Sequence, residues 1–280
     1  MINDFIKYQS LGNHFILVDR LLESETSTQA LITDPAWPQC VRDICMPNFG
    51  IGADGILLVA QNQASNLPEM RIFNADGSQA ENCLNGLRCV AHYLFTHKEL
   101  PRNFTIKLGN RTISCSIVGD KNNPEIITAV GTASYQEYTT IQAASMSFTG
   151  HVTHIGNPHF VIEQKISTDF LREYGKALES HAFFPHKTNV EFFWMEPTTK
   201  GSTTPFTITM IPFERGCGLT LACSTGAAVT LDVLQRIGRV HFGEKVTCIM
   251  PGGAVIGWLD EQKTIFLQAQ AHYVFSGCLP

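Results

Sequence analysis

Long apolar runs are missing from this 280-residue chain: none approaches the roughly 20 residues that a helix needs to span a bilayer. No Lys/Arg cluster is longer than two residues, and a net charge of -5 leaves no electrostatic footprint for nucleic acid. The opening MINDFIKYQS lacks the charged-then-apolar order of a secretory signal. No C-x-x-C pair occurs among the nine cysteines, and an odd number cannot close a complete disulfide framework. These absences point to a cytoplasmic chain with no membrane and no nucleic-acid partner. What is present is an ordinary globular composition, 44% hydrophobic and 16% charged. The length allows one large domain or two of about 140 residues.

A free cysteine is by default a small buried hydrophobe, so a particular one needs a local reason to be singled out. An internal repeat supplies it for two of the nine. Gly12-Asn13-His14-Phe15 near the start is echoed by Gly156-Asn157-Pro158-His159-Phe160 past the middle. Phe73 precedes Cys83 by ten positions and Phe213 precedes Cys223 by ten; each cysteine is followed three positions later by glycine, Gly86 and Gly226. Two half-chains carrying the same marks in the same order are expected to be related by pseudo-twofold symmetry, with the matching cysteines on opposite sides of one cleft.

The context of the two cysteines is also alike. After Cys83, the apolar residues Leu84, Leu87, Val90, Ala91, Leu94 and Phe95 follow helical spacing until Pro101 forbids continuation. After Cys223, Ala227, Ala228, Leu231, Leu234 and Ile237 do the same; Ser224 and Thr225 are good start residues, and Gly238 is a natural stop. The preceding segments MRIFNADGS and FTITMIPFE read as strands. Each cysteine is therefore expected at a helix N-terminus, where the macrodipole and free N–H groups lower a thiol's pKa and bind a carboxylate. Two such thiols on opposite faces of one α-carbon form a two-base site: one takes the proton as thiolate, the other returns one as thiol.

FNADGSQAENCLNGLRC (Phe73–Cys89), GNPHF (Gly156–Phe160), NVEFF (Asn189–Phe193), ERGCGLTLACSTGA (Glu214–Ala227) and LGNHFILVD (Leu11–Asp19) resemble, in order and over nearly the whole chain, the motifs of the diaminopimelate epimerase family. The resemblance implies an α/β (α+β) fold of two pseudo-symmetric domains, each a mixed curved β-sheet wrapped around a central α-helix, with the active site in the cleft between them. The halves are expected at 1–125, with 267–280 returning to them, and at 126–266. The implied reaction interconverts LL- and meso-diaminopimelate, a small-molecule substrate on the route to lysine and peptidoglycan. The family implies no cofactor, no metal and a homodimer. By matching position, Cys83 and Cys223 are the acid/base pair, and His159 and Glu214 the polar pair beside the thiols, with Glu214 also holding the substrate's amino group. Asn74, Asn157, Asn189 and Arg215 match residues that bind the distal aminocarboxylate; a planar guanidinium fork suits a carboxylate. Asn13 matches a substrate-facing asparagine. Leu84, Asn85, Ser224 and Thr225 match helix-start positions that hold the reacting carboxylate.

Several positions depart from the family pattern: Leu84 replaces a glycine, His14 an aspartate and Phe160 a frequent cysteine, and Glu191 and Phe192 are less usual. Gly55 stands where a side-chain amide is expected, so a contact to the substrate's far end would be lost. Other readings remain open. A sibling racemase of the same fold would act on histidine or proline, and would not need Arg215 for a second carboxylate. A metal module would use His151, His154, His159, Cys217 and Cys223, against which two strand residues three apart point to opposite faces. A non-catalytic anion binder would show ordinary thiol reactivity, and a phenazine-biosynthesis-like isomerase would not need the cysteine pair.

Overall fold

A strict alternation in Arg111–Val118, with Ile113, Cys115 and Ile117 buried and Thr112, Ser114 and Val118 exposed, is the pattern of a strand covering a core on one face. Gly55–Asn62 is instead buried on both faces, as expected of a strand with helices on either side. The structure, a computed structural model, describes residues 2–80, 82–197 and 204–279; Glu81 of the first cysteine motif lies outside these. The chain divides into two units, Met1–Thr128 with Ala269–Pro280, and Ala129–Gln268.

The first unit contains β1 (Asp4–Ser10), β2 (Asn13–Arg20), α1 (Glu25–Thr33), α2 (Trp37–Cys45), β3 (Gly55–Asn62), β4 (Leu67–Asn74), β5 (Gln79–Ala80), α3 (Leu84–His97), β6 (Asn103–Leu108), β7 (Arg111–Val118) and β8 (Glu125–Gly131), which leads into the second. The second contains β9 (Ser134–Ala143), β10 (Met146–His154), β11 (Pro158–Glu163), α4 (Thr168–Glu179), β12 (Asn189–Met195), β13 (Phe206–Glu214), β14 (Gly218–Leu219), α5 (Ser224–Arg236), β15 (Val246–Met250), β16 (Gly253–Leu259) and β17 (Ile265–Gln270). The last strand, β18 (His272–Cys278), belongs to the first unit.

Each unit repeats one mixed sheet. In the first the order is β18-β1-β2-β3-β4-β6-β7-β8, with β2–β3 and β4–β6 parallel and the other pairs antiparallel. In the second it is β9-β10-β11-β12-β13-β15-β16-β17, with β11–β12 and β13–β15 parallel. The parallel pairs need crossovers. α3 carries β4 to β6 and α5 carries β13 to β15, so the two helices that follow the cysteines are the matching central helices of the two sheets.

Both helices are sunk in their units. Leu84 through Phe95 of α3 are all buried, as are Ser224 through Leu234 of α5. α3 packs on β1, β2, β3, β4 and β18; α5 packs on β10, β11, β12 and β16. The opposite sheet faces bury α1 and α2 through Trp37, Val41 and Ile44 in one unit, and α4 through Leu171 and Leu178 in the other. Phe160 and Phe192 are core residues of that second cluster. FTITMIPFE forms β13 along its whole length, whereas MRIFNADGS is strand only to Asn74. There the chain turns through Ala75–Ser78, with Gly77 at φ +85: a left-handed residue that a continuing strand cannot hold.

Candidate active site

The N-cap of α3 is Cys83 and the N-cap of α5 is Cys223. Ser224 and Thr225, expected to open the second helix, are its first two helical residues instead; the thiol itself does the capping. Each Sγ accepts the N–H of the glycine three residues on, at 3.3 Å from Gly86 and 3.2 Å from Gly226. Those glycines are needed for space as well. A Cβ on Gly86 would stand 2.7 Å from the Leu57 side chain, and one on Gly226 would stand 2.7 Å from Glu191 Oε1 and 2.8 Å from its Cγ. The repeated cysteine–glycine spacing is thus a cap plus a close approach of helix to strand.

Around Cys83 the polar groups form one chain. Asn85 Nδ2 donates to Asn13 Oδ1 at 3.0 Å, Arg88 Nη2 donates to Asn85 Oδ1, and Arg88 Nε donates to Ser10 Oγ at 3.0 Å. Ser10 Oγ donates onward to the Gln270 carbonyl at 2.7 Å. Leu84 is buried with ordinary helical backbone, so the family's glycine is not needed there for a left-handed turn. His14, half-exposed, takes a hydrogen bond from Lys7 Nζ on Nδ1 at 2.9 Å, and its backbone N–H donates to Asp54. Asn74 lies exposed at the end of β4 and donates to Ser78 Oγ. At Gly55 the Phe73 carbonyl oxygen would be 2.4 Å from any Cβ. A side chain at this position would require the β3–β4 backbone to shift.

Cys223 sits among acids. His159 Nδ1 is 2.7 Å from Glu191 Oε1 with both side chains wholly buried, and His159 Nε2 is 3.0 Å from Asn157 Oδ1. Glu214 accepts from Thr220 Oγ1 at 2.6 Å and from the Cys223 thiol, and Thr225 Oγ1 lies 3.4 Å from Cys223 Sγ. The expected lowering of the thiol's pKa does not hold for Cys223. Burial, then Glu214 and then Glu191, push it well above the ordinary thiol value, and the Gly226 N–H only partly opposes them. Burial also raises Glu214. The resting Cys223 is therefore a thiol. Glu191, which the motif comparison marks only as unusual, is the nearest acidic partner of His159, and its Oε2 has no hydrogen-bond partner among the described residues.

Arg215 is exposed, its backbone N–H donating to Asn189 Oδ1 at 2.8 Å and its Nη1 to the His186 carbonyl at 3.2 Å. Asn189 is buried, and its Nδ2 donates to the Pro158 carbonyl at 3.0 Å. Both ends of that amide thus serve the backbone, bracing the turn that presents Arg215. Asn82, the residue before Cys83, was not among the expected site residues, yet both its amide atoms are buried without a partner among the described residues.

A model of the family described as diaminopimelate epimerase matches residues 5–136. The chain is 31% identical to the diaminopimelate epimerase of Desulfitobacterium hafniense, covering 99% of this chain and 98% of that one. It is 33% identical to that of a Prochlorococcus marinus strain, covering 98% and 92%. The chain belongs to the diaminopimelate epimerase family. This epimerase is an isomerase whose two-sheet fold recurs in solved structures. A probable proline racemase from Agrobacterium radiobacter aligns at TM-score 0.75 and 10% identity, covering 99% of this chain and 93% of that one. A hydroxyproline epimerase from Agrobacterium vitis aligns at 0.74 and 11%, covering 99% and 90%. A phenazine biosynthesis protein from Bacillus anthracis aligns at 0.68 and 12%, covering 99% of each chain. At these identities the likeness shows the fold alone.

His159, Glu191 and Cys223 of the epimerase each place a possible metal ligand within 4.8 Å of the others. The 2.7 Å between His159 Nδ1 and Glu191 Oε1 is a hydrogen-bond length. Two donors about 2.0–2.2 Å from one tetrahedral zinc stand more than 3 Å apart, so the pair is not set as co-ligands. Cys217 is exposed and lies outside this cluster. Among the described residues, no helix is long and apolar enough to cross a membrane.

Proposed function

We propose that the enzyme interconverts LL- and meso-2,6-diaminopimelate with Cys83 and Cys223 as its two acid/base groups and no cofactor. The observation that carries this reading is the pair of thiols capping matching central helices. Each helix start offers backbone N–H groups, at Leu84 and Asn85 or at Ser224 and Thr225, to the carboxylate beside the reacting carbon. In the resting enzyme Cys223, held protonated among Glu214 and Glu191, is the acid, and Cys83 as thiolate is the base. The thiolate takes the α-proton and becomes a thiol; the electron pair delocalises into the carboxylate held by the N–H groups. Cys223 then gives its proton to the other face and becomes the thiolate. The reverse reaction exchanges the roles.

His159 positions the Cys223 end through Glu191 and Asn157, and Glu214 also takes the substrate ammonium. Arg215, Asn13, Asn74 and Asn157 bind the distal aminocarboxylate, with Asn189 holding the Arg215 turn. An exposed arginine braced at its backbone supports a second carboxylate in the substrate, and it favours diaminopimelate over proline or histidine. Incubation with LL-diaminopimelate, L-proline, L-histidine and L-glutamate, scored by chiral chromatography, tests this. Turnover confined to diaminopimelate is expected; turnover of a monocarboxylate in its place overturns the assignment.

The enzyme works in the cytoplasm as a homodimer in this reading. Support for the dimer comes from β18, which among the described residues of its unit pairs with β1 and exposes Tyr273, Val274 and Phe275. An exposed apolar edge strand invites a second copy. Light scattering at micromolar concentration should give twice the chain mass, and Val274→Lys should halve it.

A further inference from the structure

The two thiol sites share a backbone but carry opposite buried charges. Gly86 of α3 lies against Leu57 of β3, and Gly226 of α5 lies against Glu191 of β12. Five positions beyond Cys83 stands Arg88, and five beyond Cys223 stands Ala228; both are fully buried. The Cys223 site therefore has an acid where the Cys83 site has a leucine, and the Cys83 site has a cation where the other has an alanine.

Arg88 is an isolated cation. Its hydrogen bonds run to the neutral Ser10 and Asn85, its Nη1 has none, and no carboxylate pairs with it among the described residues. A fully buried charge without a counter-ion is costly. Of the titratable groups on α3 and on the strands packed against it, only Cys83 and Cys89 act on its charge. Burial pushes Cys89 far above the ordinary thiol value, so it stays neutral. His92, the next polar residue on that helix face, is pushed down to about 4 by burial and is neutral too, and its neighbour Tyr8 is pushed up. Arg88 itself, brought down to about 10 by burial, is still charged at neutral pH. Among the described residues, the group left to balance it is Cys83, at the start of the same helix.

We propose that Arg88 is the positioning residue of the Cys83 site: its buried guanidinium is the fixed charge that keeps Cys83 as thiolate, and through Asn85 it holds Asn13 in place. This rests on the reading of Cys83 as one of the two bases. It explains how a pair of pseudo-symmetric thiols starts in a defined state, with Cys83 deprotonated beside Arg88 and Cys223 protonated beside Glu191. It also makes Arg88 a residue that acts on the reaction without touching substrate.

Peptide-resolved iodoacetamide labelling against pH, on the intact enzyme, reads the Cys83 titration directly. In the wild type its midpoint should lie below the ordinary thiol value of about 8.5; a midpoint at or above that value overturns the proposal. Arg88→Met keeps the bulk without the charge and should raise the midpoint by at least one unit, slowing labelling of Cys83 at pH 7 about tenfold. Arg88→Lys should hold the midpoint near that of the wild type while lowering kcat/KM, because an ammonium cannot fork between Ser10 and Asn85. An unshifted midpoint in folded Arg88→Met sinks the proposal, as does a midpoint in Arg88→Lys raised as far as in Arg88→Met. If Arg88→Met does not fold, the wild-type and Arg88→Lys midpoints decide. Failure of the two-base reading looks different: Cys83→Ala would then retain racemisation, whatever Arg88 does to the thiol.

Discussion

Replacing Glu191 by glutamine removes one buried negative charge from beside Cys223 and keeps the side chain's shape. Carboxylate oxygen and Sγ lie within 4.8 Å of each other. Two unit charges at that distance interact by roughly 3 kcal/mol at an effective dielectric of 20, equivalent to about two pKa units. His159, 2.7 Å from the same carboxylate, offsets part of this, so the expected fall in the Cys223 titration is about one to two units. The sign follows from the cause: Glu191 raises the thiol's pKa by repelling the thiolate, and its removal must lower it. Labelling of Cys223 at fixed neutral pH should speed up about 10- to 100-fold, read by mass spectrometry of its peptide. The direction of epimerisation that needs Cys223 to enter as acid should lose kcat/KM at high pH before the opposite direction does. A Cys223 midpoint within a few tenths of a unit of the wild type would refute the reasoning.

Gly226→Ala should fail where most helical Gly→Ala changes help, since its Cβ would stand 2.7 Å from Glu191 Oε1. We expect a loss of about 1–3 kcal/mol in urea unfolding together with lowered kcat. Stability should also fall with alkali. Burial raises Cys89, Cys115, Cys223 and Cys248 above their unfolded value. Their contribution is whole below about pH 8.5 and is lost as pH rises toward the folded values. Each such thiol removes about 1.4 kcal/mol per pH unit in that window, so urea midpoints under reductant should drop steeply between pH 8.5 and 10. A flat midpoint there would mean that these thiols ionise in the folded chain.

The fold was legible because the repeat carried it. Matching cysteines, phenylalanines and glycines announce matching strand–helix pairs, and both central helices occur where their apolar spacing places them. The site was legible only where its partners are local. Helix starts after Cys83 and Cys223 can be read along the chain, and Glu214 lies in the same motif as Cys223, but Glu191 comes from the earlier strand β12. Glu191 on β12 and Glu214 on β13 reverse the pKa expected from a helix N-terminus alone. Arg88 hides inside a helix that otherwise reads as apolar, since a buried, acid-free arginine runs against every compositional rule. The use of the Asn189 amide as a backbone brace depends on the meeting of the β11–β12 ladder with the turn after β13, which no spacing encodes. The crowding at Gly55 is equally hidden from the sequence: only the β3–β4 register shows that the Phe73 carbonyl lies where a Cβ would stand.

We propose that Cys83 removes the α-proton from one face of the substrate carbon while Cys223 delivers a second proton to the opposite face. Epimerisation of LL-diaminopimelate in D₂O tests it most directly, with chiral separation and mass analysis of substrate and product at early times. The wild type should yield meso product carrying one deuterium at the inverted carbon, with little label in recovered substrate. Cys83→Ala and Cys223→Ala should each lower turnover by 10² or more. Wild-type levels of labelled meso product from either variant would contradict the account.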